Sequence, residues 1–292
     1  MTTSTRVNRF MGEESQLTVY NLQDEPVSIV VIAMGLAGTE HSAYFEDLVT
    51  HLDKRSLIIG VRGLETSSHT SHDKIFLKND CSRISRVMRW VYAMYPNKSK
   101  IGIGMSLGGA LILRHQSLKN RFAFDTVVMA STSLWYEHAV NTMPETCTGR
   151  LVSRLLTWWQ FERLFFGKNY LTTVKHPTFR QWLALLGAST LLEQDKVLCD
   201  LYDMDYTEYI HDLDMRWMTK KVNDVHYLIS KKDPLFSDSH LKVTMDALEG
   251  SLFTYEIVEF GGHGDFTIKT RNDYLIHYCQ KVIDQAREAN VT

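Results

Sequence analysis

The sequence predicts an α/β protein: a mostly parallel central sheet flanked by helices on both faces, with one helical lid insertion. Three observations predict it. Short runs rich in β-branched residues recur along the chain, amphipathic helical patterns separate them, and this alternation breaks once, between residues 132 and 222.

The first run, VSIVVIAM (27 to 34), ends at Gly35 and has the length and composition of a strand buried on both faces. SLIIGVRG (56 to 63), KIGIGM (100 to 105), FDTVVMAS (124 to 131), DVHYLIS (224 to 230) and FTYEIVEF (253 to 260) repeat the form. Helical patterns lie between and after them, around 42 to 52, then at 76 to 95, 107 to 117, 238 to 248 and 271 to 288. In the second of these, Leu77, Cys81, Ile84, Val87, Met88 and Val91 share one face. Sheets of this kind gather chemistry at the carboxyl ends of their strands.

Residues 1–131 and 223–292 therefore form the core, and 132–222 the insertion. The insertion contains LVSRLLTWWQFERLFFGKNYL and FRQWLALLG, which read as helices. Ser153, Thr157, Gln160 and Arg163 make a narrow polar stripe, while Leu155, Leu156, Trp158, Trp159, Phe165 and Phe166 leave a wide apolar face. That face either packs on the main sheet or lines an apolar substrate pocket, with part of it available for transient contact with a lipid surface. Both accounts can hold for different residues.

The 292 residues are 44% apolar, enough for one large domain with its own core. A net charge of −2 with no dense basic cluster excludes a nucleic-acid footprint. Four cysteines, at 81, 147, 199 and 279, include no C-x-x-C pair and fit reduced, mostly buried thiols. The opening MTTSTRVNRFMGEESQ lacks the apolar core of a secretory signal, and no segment approaches about 18 uninterrupted apolar residues. The expectation is a soluble, cytoplasmic protein; its oligomeric state is not legible.

GIGMSLGGA (102 to 110) places Ser106 between a strand and a helix, the setting of a nucleophile elbow. Such a turn is tight, and Gly104 and Gly108 remove side chains that would collide there. A serine hydroxyl needs a base to take its proton, and the base needs an acid to hold its tautomer. Asp233, in SKKDPLF, follows one late strand, and His263, in GGHGDF, follows the last. The order Ser106, Asp233, His263 is that of the α/β-hydrolase fold. Asp238 and Asp265 are nearby carboxylates, but Asp238 opens a helix as its N-cap and Asp265 follows the histidine too closely. For the oxyanion, the backbone N–H of Leu107 supplies one donor, and that of Leu36, between Gly35 and Ala37, supplies the other.

Other constellations are weaker. His69 and His72 have a metal-like spacing in a polar loop without further ligands. The glycines of 102 to 109 lack the Lys-Ser/Thr pair of a phosphate loop, and no nicotinamide or flavin fingerprint occurs, so neither cofactor nor metal is expected.

Several segments together resemble one branch of the α/β-hydrolase superfamily, the bacterial YheT-like esterases and the yeast medium-chain fatty acid ethyl ester synthases. They are MGLAGTEHSAYF, GVRG, GMSLGGALIL, YTEYIHDLDMRWMTKKVNDVHYLIS, SKKDPLF and EFGGHGDF, over about residues 27 to 285, with the insertion matching only loosely. The resemblance implies hydrolysis or transfer of an acyl group from an ester or thioester through an acyl-Ser106 intermediate, without cofactor. It implies Ser106 as nucleophile, His263 as base then acid, Asp233 as orienting acid, and Leu36 and Leu107 as oxyanion donors. Two positions depart from the branch, Met34 where it has His and Leu64 where it has a small residue, changes that touch the pocket floor and the residues behind the site. The leading reading is a serine hydrolase acting on an ester or thioester with an apolar acyl chain. An acyltransferase using an alcohol as acceptor, and a non-catalytic receptor on the same fold, are the alternatives.

Overall fold

The structure, a computed structural model, describes residues 17–21, 25–36, 41–61, 81–118, 121–145, 147–166, 178–263 and 273–289, with no side-chain description for 17, 147 and 159–166. Seven strands form one sheet: β1 (Leu17–Tyr20), β2 (Ser28–Ala33), β3 (Ser56–Val61), β4 (Ser99–Met105), β5 (Thr126–Ala130), β6 (Val225–Ser230) and β7 (Thr254–Val258). Their spatial order is β1-β3-β2-β4-β5-β6-β7. All neighbours are parallel except β1, which pairs antiparallel with β3 at one edge. Five strands lie within the predicted runs, and β4 begins one residue before its run, at Ser99; β1 was not predicted.

Alternation along β2 divides the core. Ile29, Val31 and Ala33 pack toward the cluster that holds α2 (Ser82–Met94), α3 (Leu107–Ser117) and α9 (Asp238–Leu248). Val30 and Ile32 pack toward the opposite cluster, with α1 (Ala43–His51) and α10 (Asp273–Ala289). Helices thus cover both faces, and β2 to β4 are buried along their whole length. The segment 76–80 of the second predicted helix lies outside the described residues.

Between β5 and β6 the chain is helical: α4 (Tyr136–Thr142), a short 3₁₀ turn (Met143–Glu145), α5 (Cys147–Phe166), α6 (Phe179–Gly187), α7 (Leu191–Leu201), α8 (Tyr206–Asp212) and a second 3₁₀ turn (Arg216–Lys220). Leu134, Met215, Met218 and Val222 join the main core, whereas Val140, Leu191, Leu192, Tyr209 and Leu213 form a separate cluster. The insertion therefore roots at both ends in the sheet's core and holds its own small core above it. Among the described residues, no helix is long and apolar enough to cross a membrane, and no group of His, Cys, Asp or Glu is arranged to hold a metal ion. Cys81, Cys199 and Cys279 are buried and in no disulfide.

Strand order reverses between β2 and β4, because β2 leads outward to β3 while β4 leads to β5 on the other side. The crevice beyond the carboxyl ends at such a switch point is where open α/β sheets hold ligands. Gly35 and Leu36 leave β2 there, and Ser106 leaves β4 there.

Candidate active site

β4 runs directly into Ser106 and then into α3, with no intervening loop. Ser106 adopts φ 52° and ψ −123°, a region that L-residues rarely enter and that costs about 1–3 kcal/mol. The surroundings hold it: its N–H donates to the Ala130 carbonyl at 2.9 Å, and its own carbonyl accepts from the Thr132 hydroxyl at 3.0 Å. The turn is tight enough to require glycine on either side. A Cβ on Gly104 would lie 2.3 Å from the Gly109 Cα, and one on Gly108 would lie 2.1 Å from the Ala33 carbonyl oxygen.

Asp233 follows β6 and is buried, with its Oδ1 accepting from the Leu235 N–H at 2.9 Å. His263 lies beyond β7. Its Nδ1 is 2.8 Å from Asp233 Oδ2, and its Nε2 is 2.8 Å from Ser106 Oγ. Three residues far apart in sequence thus form one hydrogen-bonded line from a buried carboxylate to a hydroxyl. Such a line fixes the tautomer, because Nδ1–H donates to the carboxylate and leaves Nε2 as acceptor for the serine.

Leu36 and Leu107 flank Ser106 in one cavity of about 350 Å³. Among the described residues neither backbone N–H has a protein acceptor. The neighbouring Gly35 N–H donates to the Tyr44 hydroxyl at 3.2 Å, which fixes the loop after β2. A Cβ on Gly35 would lie 3.3 Å from Ser106 Cβ, so this loop rests against the serine. Away from His263 and Ser106 the cavity is largely apolar, with Val140, Met143, Leu156, Leu191, Leu213 and Met215 contributed by the helical segment between β5 and β6. Its volume is at the small end of the range for small-molecule sites, about 300–1,000 Å³.

Several expectations need correction. The apolar face of α5 is divided, with Leu155 and Trp158 exposed, and Ser153 and Thr157 of the polar stripe are turned inward and buried. The inward turn costs little because the polar atoms are satisfied: Thr157 Oγ1 donates to the Ser153 carbonyl at 2.7 Å, and Gln194 Nε2 to the Thr157 carbonyl at 2.8 Å. Of the named apolar residues whose side chains are described, Leu156 alone lines the cavity. Met34 sits in the core cluster with Phe45 rather than on the pocket floor. The N-cap of α9 is Ser237, whose side chain accepts from the His240 N–H, and Asp238 is the first helical residue. Leu64, His69, His72 and Asp265 lie outside the described residues, as do the side chains of Trp159, Gln160, Arg163, Phe165 and Phe166.

The sequence reading missed a polar chain beside the cavity. Ser133 lines the cavity and lies 3.3 Å through its Oγ from His240 Nε2, and His240 Nδ1 is 3.3 Å from His138 Nδ1. Burial and then the adjacent His138 push the His240 imidazole down to about 4, against an opposing pull from Asp233. Phe236 lies over His240 and meets the His263 ring edge-on at 6.2 Å. None of these residues has a motif, because each is recruited from a different element.

Comparison with known proteins bears on the fold. No protein-family profile and no curated protein matches this sequence. Solved structures do match: an esterase of Pyrococcus furiosus, at 12% identity and TM-score 0.53, with 92% of this chain and 87% of that one covered. An esterase of Rhizomucor miehei matches at 12% identity and TM-score 0.54, over 94% and 80%, and a thermostable carboxyl esterase of Bacillus coagulans at 11% and 0.52, over 98% of both. The parallel sheet, its flanking helices and these neighbours together define the α/β-hydrolase fold.

Proposed function

We propose that this chain is a serine hydrolase that cleaves a carboxylic ester or thioester of an apolar acyl group. The observation that carries the reading is the unbroken line from Asp233 through His263 to Ser106, opening into a largely apolar cavity. Ser106 Oγ attacks the acyl carbonyl as His263 Nε2 takes its proton, and Asp233 stabilises the imidazolium that forms. The N–H groups of Leu36 and Leu107 meet the oxyanion, where losing one donor typically costs about 3 kcal/mol. Collapse expels the alcohol or thiol, which takes the proton from His263 and leaves acyl-Ser106. Water, deprotonated by His263, then attacks the acyl carbon and returns the serine.

The esterases that share the fold support this reading, as do the motifs similar to the YheT-like branch. No step calls on a metal or cofactor. The test is turnover of p-nitrophenyl esters from acetyl to palmitoyl by the wild type and Ser106→Ala. The expected result is wild-type turnover with a chain-length optimum and a loss on the order of 10⁶-fold in the variant. Equal turnover by both proteins would remove Ser106 from the reaction.

A further inference from the structure

The lid helix α5 exposes residues that a helix packed on a core would bury. Leu151, Leu155 and Trp158, spaced four and three apart, form one stripe exposed at 59%, 57% and 61%. On α6 the same spacing recurs in Phe179, Leu183 and Leu186, all exposed. The stripes meet, since Trp158 and Leu186 line one cavity of about 250 Å³ together with Arg154. A continuous apolar surface of this kind marks an interaction site.

Charge indicates what it meets. Arg150, Arg154 and Arg180 are exposed on the same two helices. The described side chains of α5 and α6 include these three arginines and no Asp or Glu, on a chain whose net charge is −2. Apolar side chains bordered by cations suit an anionic lipid interface, where the former enter the acyl boundary and guanidinium groups meet phosphates.

We propose that the outer face of α5 and α6 docks on an anionic phospholipid surface. Leu156, from the same helix, lines the catalytic cavity, so docking brings that cavity beside the phase in which apolar esters dissolve. Binding rather than turnover tests this, so the outcome is separate from the role of Ser106.

The experiment is flotation of the full chain with vesicles of phosphatidylcholine alone and of equal parts phosphatidylcholine and phosphatidylglycerol, at low and high salt. The expected result is preferential retention on the anionic vesicles that weakens with salt. Leu155→Asp with Leu183→Asp should lower retention at least about tenfold, and Arg154→Gln with Arg180→Gln by a smaller factor, with thermal melting unchanged. Absent or equal retention on the two vesicles would overturn the proposal, as would retention indifferent to both pairs of substitutions. So would a dimer in sedimentation equilibrium that the Leu155→Asp and Leu183→Asp changes dissociate, since the face would then belong to a second copy.

Discussion

Ser106 combines a strained backbone with a hydrogen-bonded side chain, and each supports the other. The positive φ points Oγ toward His263, and the packing of Gly104 and Gly108 against Gly109 and Ala33 leaves the turn no room to relax. His240, behind the cavity, shows a different economy: a fully buried imidazole kept neutral among Ser133, His138, Thr244 and Phe236. Its value falls from 6.5 to about 4, so between those values the unfolded chain binds the proton that the folded one refuses. Stability from this group is complete above pH 6.5 and is lost as pH falls toward 4, by an amount on the order of 3 kcal/mol. Denaturation midpoints measured across that interval should fall less steeply for His240→Asn than for the wild type. Parallel slopes would show that His240 titrates equally in both states.

At the scale of elements, α5 divides its residues between two surroundings. Leu156 faces the cavity while Leu155 and Trp158, its near neighbours, face outward. Leu156→Trp should therefore shift the ester chain-length optimum to shorter acyl groups, and Trp158→Ala should leave it in place. An unchanged optimum in Leu156→Trp would take α5 out of the pocket wall. The helix itself was legible from the sequence, but its facing was not. Periodicity reports which side chains share a stripe, and here local hydrogen bonds from Thr157 and Gln194 let the polar stripe turn inward. β1 escaped notice because four residues, LTVY, at an antiparallel edge carry too short a pattern to stand out from the polar stretch before them. The buried strands β2 to β6 were legible because their apolar runs end at turn residues. Of the candidate site, Ser106, Asp233 and His263 could be named because each follows a strand. Tyr44, Ser133 and His240 could not, since their positions depend on tertiary contacts.

Across the whole molecule, the sheet's reversal between β2 and β4 opens the crevice, three separate strand ends deliver the hydroxyl, carboxylate and imidazole, and the helical insertion roofs the result with apolar side chains. Activity of the kind proposed requires that this geometry make Ser106 a nucleophile. A fluorophosphonate probe tests that without assuming a substrate, because phosphonylation requires an activated hydroxyl. After labelling of the wild type and of His263→Ala, peptide mass spectrometry should find the adduct on Ser106 in the former and reduce it on the order of a thousandfold or more in the latter. No adduct on Ser106 in the folded wild-type protein, or equal labelling of both, would contradict the account.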